Sequence, residues 1–269
     1  MSKVVAAVLF AALLIGPAVA ADVDPSKPEP PAALPAPLPP TLNADGSSAL
    51  TGRVLAVSSI TDISLNPGEV ILTFDDGPRP GTTDSILKTL NAYGVKATFF
   101  MIGQMALAHS AVAQSVYLAG ETIGSHTLDH KDLSKLSEAD ALGEVTRGAQ
   151  AVQTALSPIG GSPSPFFRFP YLAQTAVIRT AIEQDSYIPI GAQMDSDDYF
   201  TTSPDFLLRR ILRELDRTGH GIILMHDIHQ RTALMLPSLL DALLARHYTV
   251  VQLVYRNAPV IQLRTARQD

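Results

Sequence analysis

From Val70 onward the chain alternates between short apolar, β-prone runs and longer segments of helical periodicity. This alternation restricts the fold more than any other feature. Strands are predicted over 70–74, 97–102, 121–125, 166–169, 187–194, 221–225 and 248–253. Helices are predicted between them over 84–93, 104–118, 138–156, 175–183, 204–217 and 232–247. Ser137 ahead of Glu138 and Ser203 ahead of Pro204 are helix-start signals. Strands joined through helices run parallel, so the pattern specifies an α/β fold. Seven predicted strands point to a barrel, with an open doubly wound sheet as the alternative. No Gly-rich dinucleotide fingerprint or phosphate loop follows the first strand, which argues against a nucleotide-binding version. The stretch 49–66 is read as a strand or two leading in.

The segments ahead of this domain read differently. Lys3, the apolar run from Val4 to Ile15 and the small-residue pattern Ala18-Val19-Ala20 form a secretory signal peptide over 1–20. The run is short for a membrane anchor, and Gly16-Pro17 interrupts it. Residues 21–48 are rich in Pro and Ala and read as an extended spacer, leaving 49–269 as the folded domain. A secreted or periplasmic location follows, with no stable membrane anchor after cleavage. The chain has no cysteine, so any metal must be held by His, Asp or Glu. The formal net charge is −6 and no basic stripe appears, which makes nucleic acid and anionic membranes poor partners. Tryptophan is absent, which argues against a broad aromatic sugar platform but not against a compact sugar cleft.

Polar residues collect where the predicted strands end, the face on which parallel barrels carry chemistry. Ile71-Leu72-Thr73-Phe74-Asp75-Asp76-Gly77-Pro78 runs from an apolar strand into two adjacent acids and a turn. Neighbouring strand residues point to opposite sides, so one acid can bind a metal while the other moves a proton; a plain Asp-Gly turn with solvated acids is the bland alternative. His126 and His130 follow the third strand, Arg168 and Tyr171 the fourth, Asp195 and Asp198 the fifth, and His226 ends the sixth. In a helical turn, His126 and His130 would share one face and grip one ion. With Asp76 they form a sulfur-free set that leaves coordination positions open. Zinc is the default ion; iron, manganese, cobalt and nickel also accept such ligands.

Five short motifs in order over roughly 70–253 make the chain resemble the NodB-homology polysaccharide deacetylases, carbohydrate esterase family 4. They are Thr73-Phe74-Asp75-Asp76-Gly77, His126-Thr127-Leu128-Asp129-His130, Arg168-Phe169-Pro170-Tyr171, Asp195-Ser196-Asp197-Asp198-Tyr199 and Leu224-Met225-His226-Asp227. The resemblance implies a distorted (β/α) barrel, here of seven strands. It also implies a metal-dependent hydrolase removing acetyl groups from N-acetylglucosamine units of a polysaccharide or oligosaccharide. Carried over by motif, Asp76, His126 and His130 hold one divalent ion, and Asp75 is the general base, oriented by Arg168. The Tyr171 backbone N–H serves the oxyanion, and His226 is the general acid with Asp195 as its carboxylate partner. Leu224 and Tyr199 line the acetyl and substrate pocket. Tyr199 stands where the family has Trp, which changes cleft area and polarity rather than metal chemistry.

Other readings compete. Arg168 alone fits an ordinary ion pair, and His226 beside Asp227 fits a strand-end pair. His109, His220 and His247 read as solvated, while His229 is close enough to His226 to line the cleft. The same ligands fit an O-acetyl esterase on xylan. A sugar-binding pseudo-enzyme is disfavoured because no ligand or base is missing. Neither the polymer nor the oligomeric state follows from the sequence.

Overall fold

The computed structural model describes residues 39–257. The expected signal peptide, most of the spacer and the last residues of the chain lie outside the described residues. Nine strands and seven α-helices follow one another among the described residues. They are β1 (Thr51–Val57), β2 (Glu69–Asp75), α1 (Thr82–Ala92), β3 (Thr98–Met101), α2 (Gly103–Ala108), α3 (Ser110–Leu118), β4 (Thr122–Ser125) and α4 (Glu138–Leu156). Then come β5 (Phe166–Phe167), α5 (Ala176–Gln184), β6 (Ile188–Pro189), β7 (Met194–Asp195), α6 (Pro204–Thr218), β8 (Gly221–His226), α7 (Gln230–Ala245) and β9 (Thr249–Tyr255). No described helix is long and apolar enough to cross a membrane.

All ladders are parallel, and seven strands form the barrel wall in the order β7-β8-β2-β3-β4-β5-β6. No ladder joins β6 to β7, so the barrel has a seam there. β9 pairs with the start of β2 and carries β1 on its other edge. The expected strand over 187–194 is therefore two short ones with different neighbours, β6 on β5 and β7 on β8. Pro189 contributes to the break, since it brings no N–H to a ladder. The expected helix over 104–118 likewise divides at His109, whose backbone leaves the helical region (φ −126°, ψ 44°).

Alternation along the strands sorts the core. Ile71, Phe100, Phe166 and Ile222 pack inside the barrel with Val251 and Leu253 of β9. Leu72, Phe74, Phe99, Ile123, Ile223 and Met225 face outward and pack under the helices. Each such buried side chain is worth about 1.5–3 kcal/mol. The same parity sends Thr73, Asp75, Leu224 and His226 inward at the carboxyl end. Ahead of β1, Ser48 bonds the Tyr93 carbonyl at 2.6 Å and Leu50 is fully buried, so the chain is already docked on the domain there.

Candidate active site

Asp75 is the last residue of β2 and is almost fully buried. Arg168, just past β5, is completely buried and is its cation. Its Nη1 donates to Asp75 Oδ1 at 2.8 Å and to Thr73 Oγ1 at 2.7 Å. Its Nε and Nη2 donate to the carbonyls of Ile190 and Gly191 at 3.1 and 2.9 Å. The guanidinium also sits 4.3 Å from the Phe100 ring centroid. Arg168 therefore spans the barrel from β2 to the seam and caps the carbonyls that no strand covers there. Burial pushes the Asp75 carboxyl up and Arg168 opposes it. A buried base poised above the ordinary carboxylate range is better matched to proton transfer near neutral pH.

Asp76 begins the turn, with φ at 77°. Its Oδ1 lies 3.5 Å from His126 Nε2 and 3.3 Å from His130 Nε2. His126 Nδ1 is 2.8 Å from the Arg168 carbonyl, and a carbonyl only accepts, so Nδ1 carries the proton. Nε2 then presents a lone pair. Burial drives His126 down to about 3, which keeps the ring neutral despite the nearby Asp76. The contact between them is thus acceptor facing acceptor rather than an ion pair. Asp76 Oδ1 is itself buried without a hydrogen-bond partner. One ligand atom from each of Asp76, His126 and His130 falls within 4.8 Å of the others. Two acceptors meeting with no donor between them, and a second imidazole converging on the same carboxylate oxygen, fit a divalent cation.

The expected helical turn for the two histidines is not what forms. Thr127 and His130 have left-handed φ of 67° and 63°, and the His130 N–H donates to Thr127 Oγ1 at 3.0 Å. The two rings still meet, with centroids 4.9 Å apart. The loop packs against two helices that touch each other, Gly103 of α2 lying on Gly148 and Ala151 of α4. The Thr127 and Leu128 carbonyls accept from the N–H groups of Gly103 and Gln104 on α2, and Gly148 of α4 lets that helix approach the Thr127 backbone.

His226 ends β8 opposite Asp75 in register. Its carboxylate partner is Asp198, which corrects the assignment of that part to Asp195. Asp198 Oδ1 meets His226 Nδ1 at 2.5 Å, and Oδ2 accepts the His226 backbone N–H at 2.8 Å. Thr232 Oγ1 donates to Oδ2 as well, and Arg231 Nε binds the Asp198 carbonyl at 2.6 Å. Burial alone would lower the His226 pKa, but the Asp198 bond, helped by Asp75 and Asp76, raises it to about 9. Asp198 itself is held below the ordinary range, because the bonds from His226 and Thr232 outweigh its burial. The reason for the swap is the turn at Asp197 (φ 58°), which sends the two acids to different places. Asp195 instead accepts from the Asp197 N–H at 2.9 Å and the Tyr199 hydroxyl at 3.3 Å.

Together these residues line one cavity of about 340 Å³. Asp75, Asp76, His126, His130, Asp195, Leu224 and His226 are in its wall, with Tyr171 and Tyr199 at 69% and 45% exposure. Tyr171 has left-handed backbone (φ 58°) and sets its ring 4.6 Å from His130. Tyr199 packs edge-on against His226 at 5.6 Å. Arg168 lies behind the wall. His229 reaches the His226 ring at 5.9 Å but is not in the wall. Sequence reasoning missed Phe169 and Leu172 as wall residues and Thr232 as the third bond on Asp198. The first two flank motif residues and were findable; nothing in the sequence marks Thr232.

Comparison with known proteins identifies the family. The model of the polysaccharide deacetylase family matches residues 62–189. A peptidoglycan-N-acetylglucosamine deacetylase of Listeria monocytogenes is 31% identical over 184 residues, 68% of this chain and 37% of that protein. A chitooligosaccharide deacetylase of Azorhizobium caulinodans is 32% identical over 167 residues, 61% of this chain and 76% of that one. The structure of a family 4 carbohydrate esterase from Streptomyces lividans in complex with acetate superposes with a TM-score of 0.61 at 30% identity, covering 68% of this chain and 91% of that one. This chain belongs to the polysaccharide deacetylase family, carbohydrate esterase family 4. It spans little more than a third of the length of the Listeria relative.

Proposed function

We propose that this protein is a metal-dependent deacetylase that hydrolyses the N-acetyl group of N-acetylglucosamine units in a glycan, releasing acetate and leaving a free amine. The observation that carries the reading is the pairing of opposites across one cavity. Asp75 on Arg168 faces His226 on Asp198, and the converging trio of Asp76, His126 and His130 lies beside them. The relatives named for peptidoglycan and chitooligosaccharide deacetylation support the substrate class.

Asp76, His126 and His130 would hold the ion, with zinc favoured over iron, manganese, cobalt or nickel. When bound, it supplies Lewis acidity to the acetyl carbonyl and acidifies water. Asp75 takes the proton of the attacking water, and Arg168 fixes the carboxylate that does so. The Tyr171 backbone N–H donates to the oxyanion. His226 gives its proton to the departing nitrogen, and Asp198 keeps that proton on the ring until then. Leu224 and the Tyr199 ring wall the space for the methyl group and sugar.

The firmly held proton on His226 favours amide over ester, because an amine leaves only once protonated whereas an alcohol needs less help. A glycan N-deacetylase is therefore preferred to an O-acetyl esterase. The signal peptide read at 1–20 supports action in the periplasm or outside the cell. The test is acetate release from an N-acetylglucosamine tetramer by the metal-free protein and after zinc is restored. Zinc-dependent release supports the reading; equal release in the presence of chelator, or none at all, refutes it.

A further inference from the structure

The cavity wall carries a third carboxylate, Asp195, which the reaction above does not use. Among the described residues no ion pair reaches it. Arg210, from α6, donates its Nε to the Asp195 carbonyl at 3.0 Å and spends its Nη2 on Asp197 at 2.8 Å. Asp195 Oδ1 receives the Asp197 N–H, whereas Oδ2 has only the Tyr199 hydroxyl at 3.3 Å, whose single proton is shared with the nearer Asp197 Oδ1 at 3.0 Å, so both Asp195 oxygens keep a free lone pair. Burial pushes this carboxyl up. A half-buried acid with no direct ion pair, and only the more distant His226 to favour its charge, gains when hydrogen-bond donors arrive with a ligand. Around it the cavity presents the rings of Tyr171 and Tyr199, and Phe200, 60% exposed, lies 4.7 Å from Tyr199 between centroids. Apolar ring faces beside an acceptor match a pyranose, which offers C–H faces and hydroxyl donors.

We propose that Asp195 is a specificity-determining residue whose carboxylate accepts hydrogen bonds from ring hydroxyls of the acetylated sugar, in a position fixed by the Asp197 N–H and by a Tyr199 hydroxyl shared between the two acids. This rests on reading the chain as a glycan deacetylase. It gives Asp195 a part distinct from that of Asp198, and it gives the tyrosine at 199 a task for its hydroxyl.

The experiment compares two probes on the zinc-loaded protein, an N-acetylglucosamine tetramer and the sugar-free ester 4-nitrophenyl acetate. Asp195→Asn is expected to raise KM for the tetramer at least tenfold with less than a threefold change in kcat. The loss of kcat/KM on the ester is expected to be at least fivefold smaller. Tyr199→Phe, which keeps the ring, is expected to raise KM for the tetramer about threefold. Equal losses on both probes, or a loss confined to kcat, overturn the inference, because they place Asp195 in the chemistry or in holding the turn. Should the zinc-loaded wild type release no acetate from the tetramer, the deacetylase reading fails and calorimetric binding of the tetramer decides the inference instead. A Kd at least tenfold weaker in Asp195→Asn then supports it, and equal affinities or no binding by the wild type reject it.

Discussion

Asp198 holds His226 at both ends, accepting its backbone N–H at 2.8 Å and meeting its ring Nδ1 at 2.5 Å. One carboxylate therefore fixes where the imidazole stands and which nitrogen faces the cavity. It also raises the ring's pKa against the pull of burial, to about 9. Because the general acid must be protonated, the alkaline limb of amide hydrolysis should follow this group. A cation held by Asp76 offsets the share contributed by Asp75 and Asp76 but leaves the share from Asp198. In Asp198→Asn the limb should move down toward the ordinary imidazole range, and kcat should fall by about 10²-fold or more. A kcat–pH profile of both proteins checks this; an unmoved limb would show that His226 is not the acid.

The same pair carries a stability signature. A histidine whose folded pKa lies above its unfolded value adds stability that is fully present below the unfolded pKa. That stability is lost as pH rises through the folded pKa. For His226 the window runs from about 6.5 to about 9. Urea unfolding of the metal-free protein should weaken across that window, and Asp198→Asn should flatten the slope.

Arg168→Lys keeps the charge and loses the fork. A lysine ammonium cannot serve Asp75, Thr73 and the Ile190 and Gly191 carbonyls together, so the seam loses its cap. Leaving a buried charge and two carbonyls poorly paired should cost about 3 kcal/mol or more. Burial already pushes Asp75 up with Arg168 opposing, so a weaker partner should shift the acid limb of activity to higher pH. Thermal melting reads the first effect and the kcat/KM profile the second.

These relationships were unequally legible in the chain. The strand-helix order was readable because hydrophobic period is a local property, and α4 was predicted with the same ends, since Ser137 caps it by accepting the Asp140 N–H. The break within 187–194 was not, because it depends on which strands β6 and β7 pair with. The convergence of Asp76, His126 and His130 as a candidate ligand set was readable from residue type and spacing. Its backbone was not, since left-handed Thr127 and His130 follow from the loop's clamping by α2 and α4. The exchange of Asp195 for Asp198 arises from one turn at Asp197 that residue spacing does not encode.

Glu121 offers a pH test remote from the catalytic cavity. It is buried, accepts the Ala97 N–H at 2.6 Å and has Lys96 Nζ at 3.5 Å. Burial raises its carboxyl to about 7, and Lys96 only partly opposes this. Here the native state holds a proton that the unfolded chain releases. Stability should therefore fall as pH rises from about 4.5 to about 7, by up to about 3 kcal/mol. Glu121→Gln keeps an acceptor for Ala97 and removes the titration. The wild-type minus variant difference in unfolding free energy, measured at pH 5 and 7.5, isolates this group.

Gly148 tests whether the histidine loop is held in place by packing. A Cβ on Gly148 would collide with the Thr127 carbonyl and the Leu128 nitrogen. The loop cannot retreat freely, because the Thr127 and Leu128 carbonyls are held by the Gly103 and Gln104 N–H groups at 2.9 and 3.0 Å, and Gly103 itself packs against Gly148. Overpacking of this kind costs about 1–3 kcal/mol. Some of that cost should appear as misplacement of His126 and His130, and each 1.4 kcal/mol lost from metal binding weakens it about tenfold. Gly148→Ala should thus bind zinc about tenfold less tightly in competition with a chromophoric chelator. A lowered melting temperature with unchanged zinc affinity would mean that α4 shifts instead of the loop, and that the trio is held by its own turn rather than by the helix behind it.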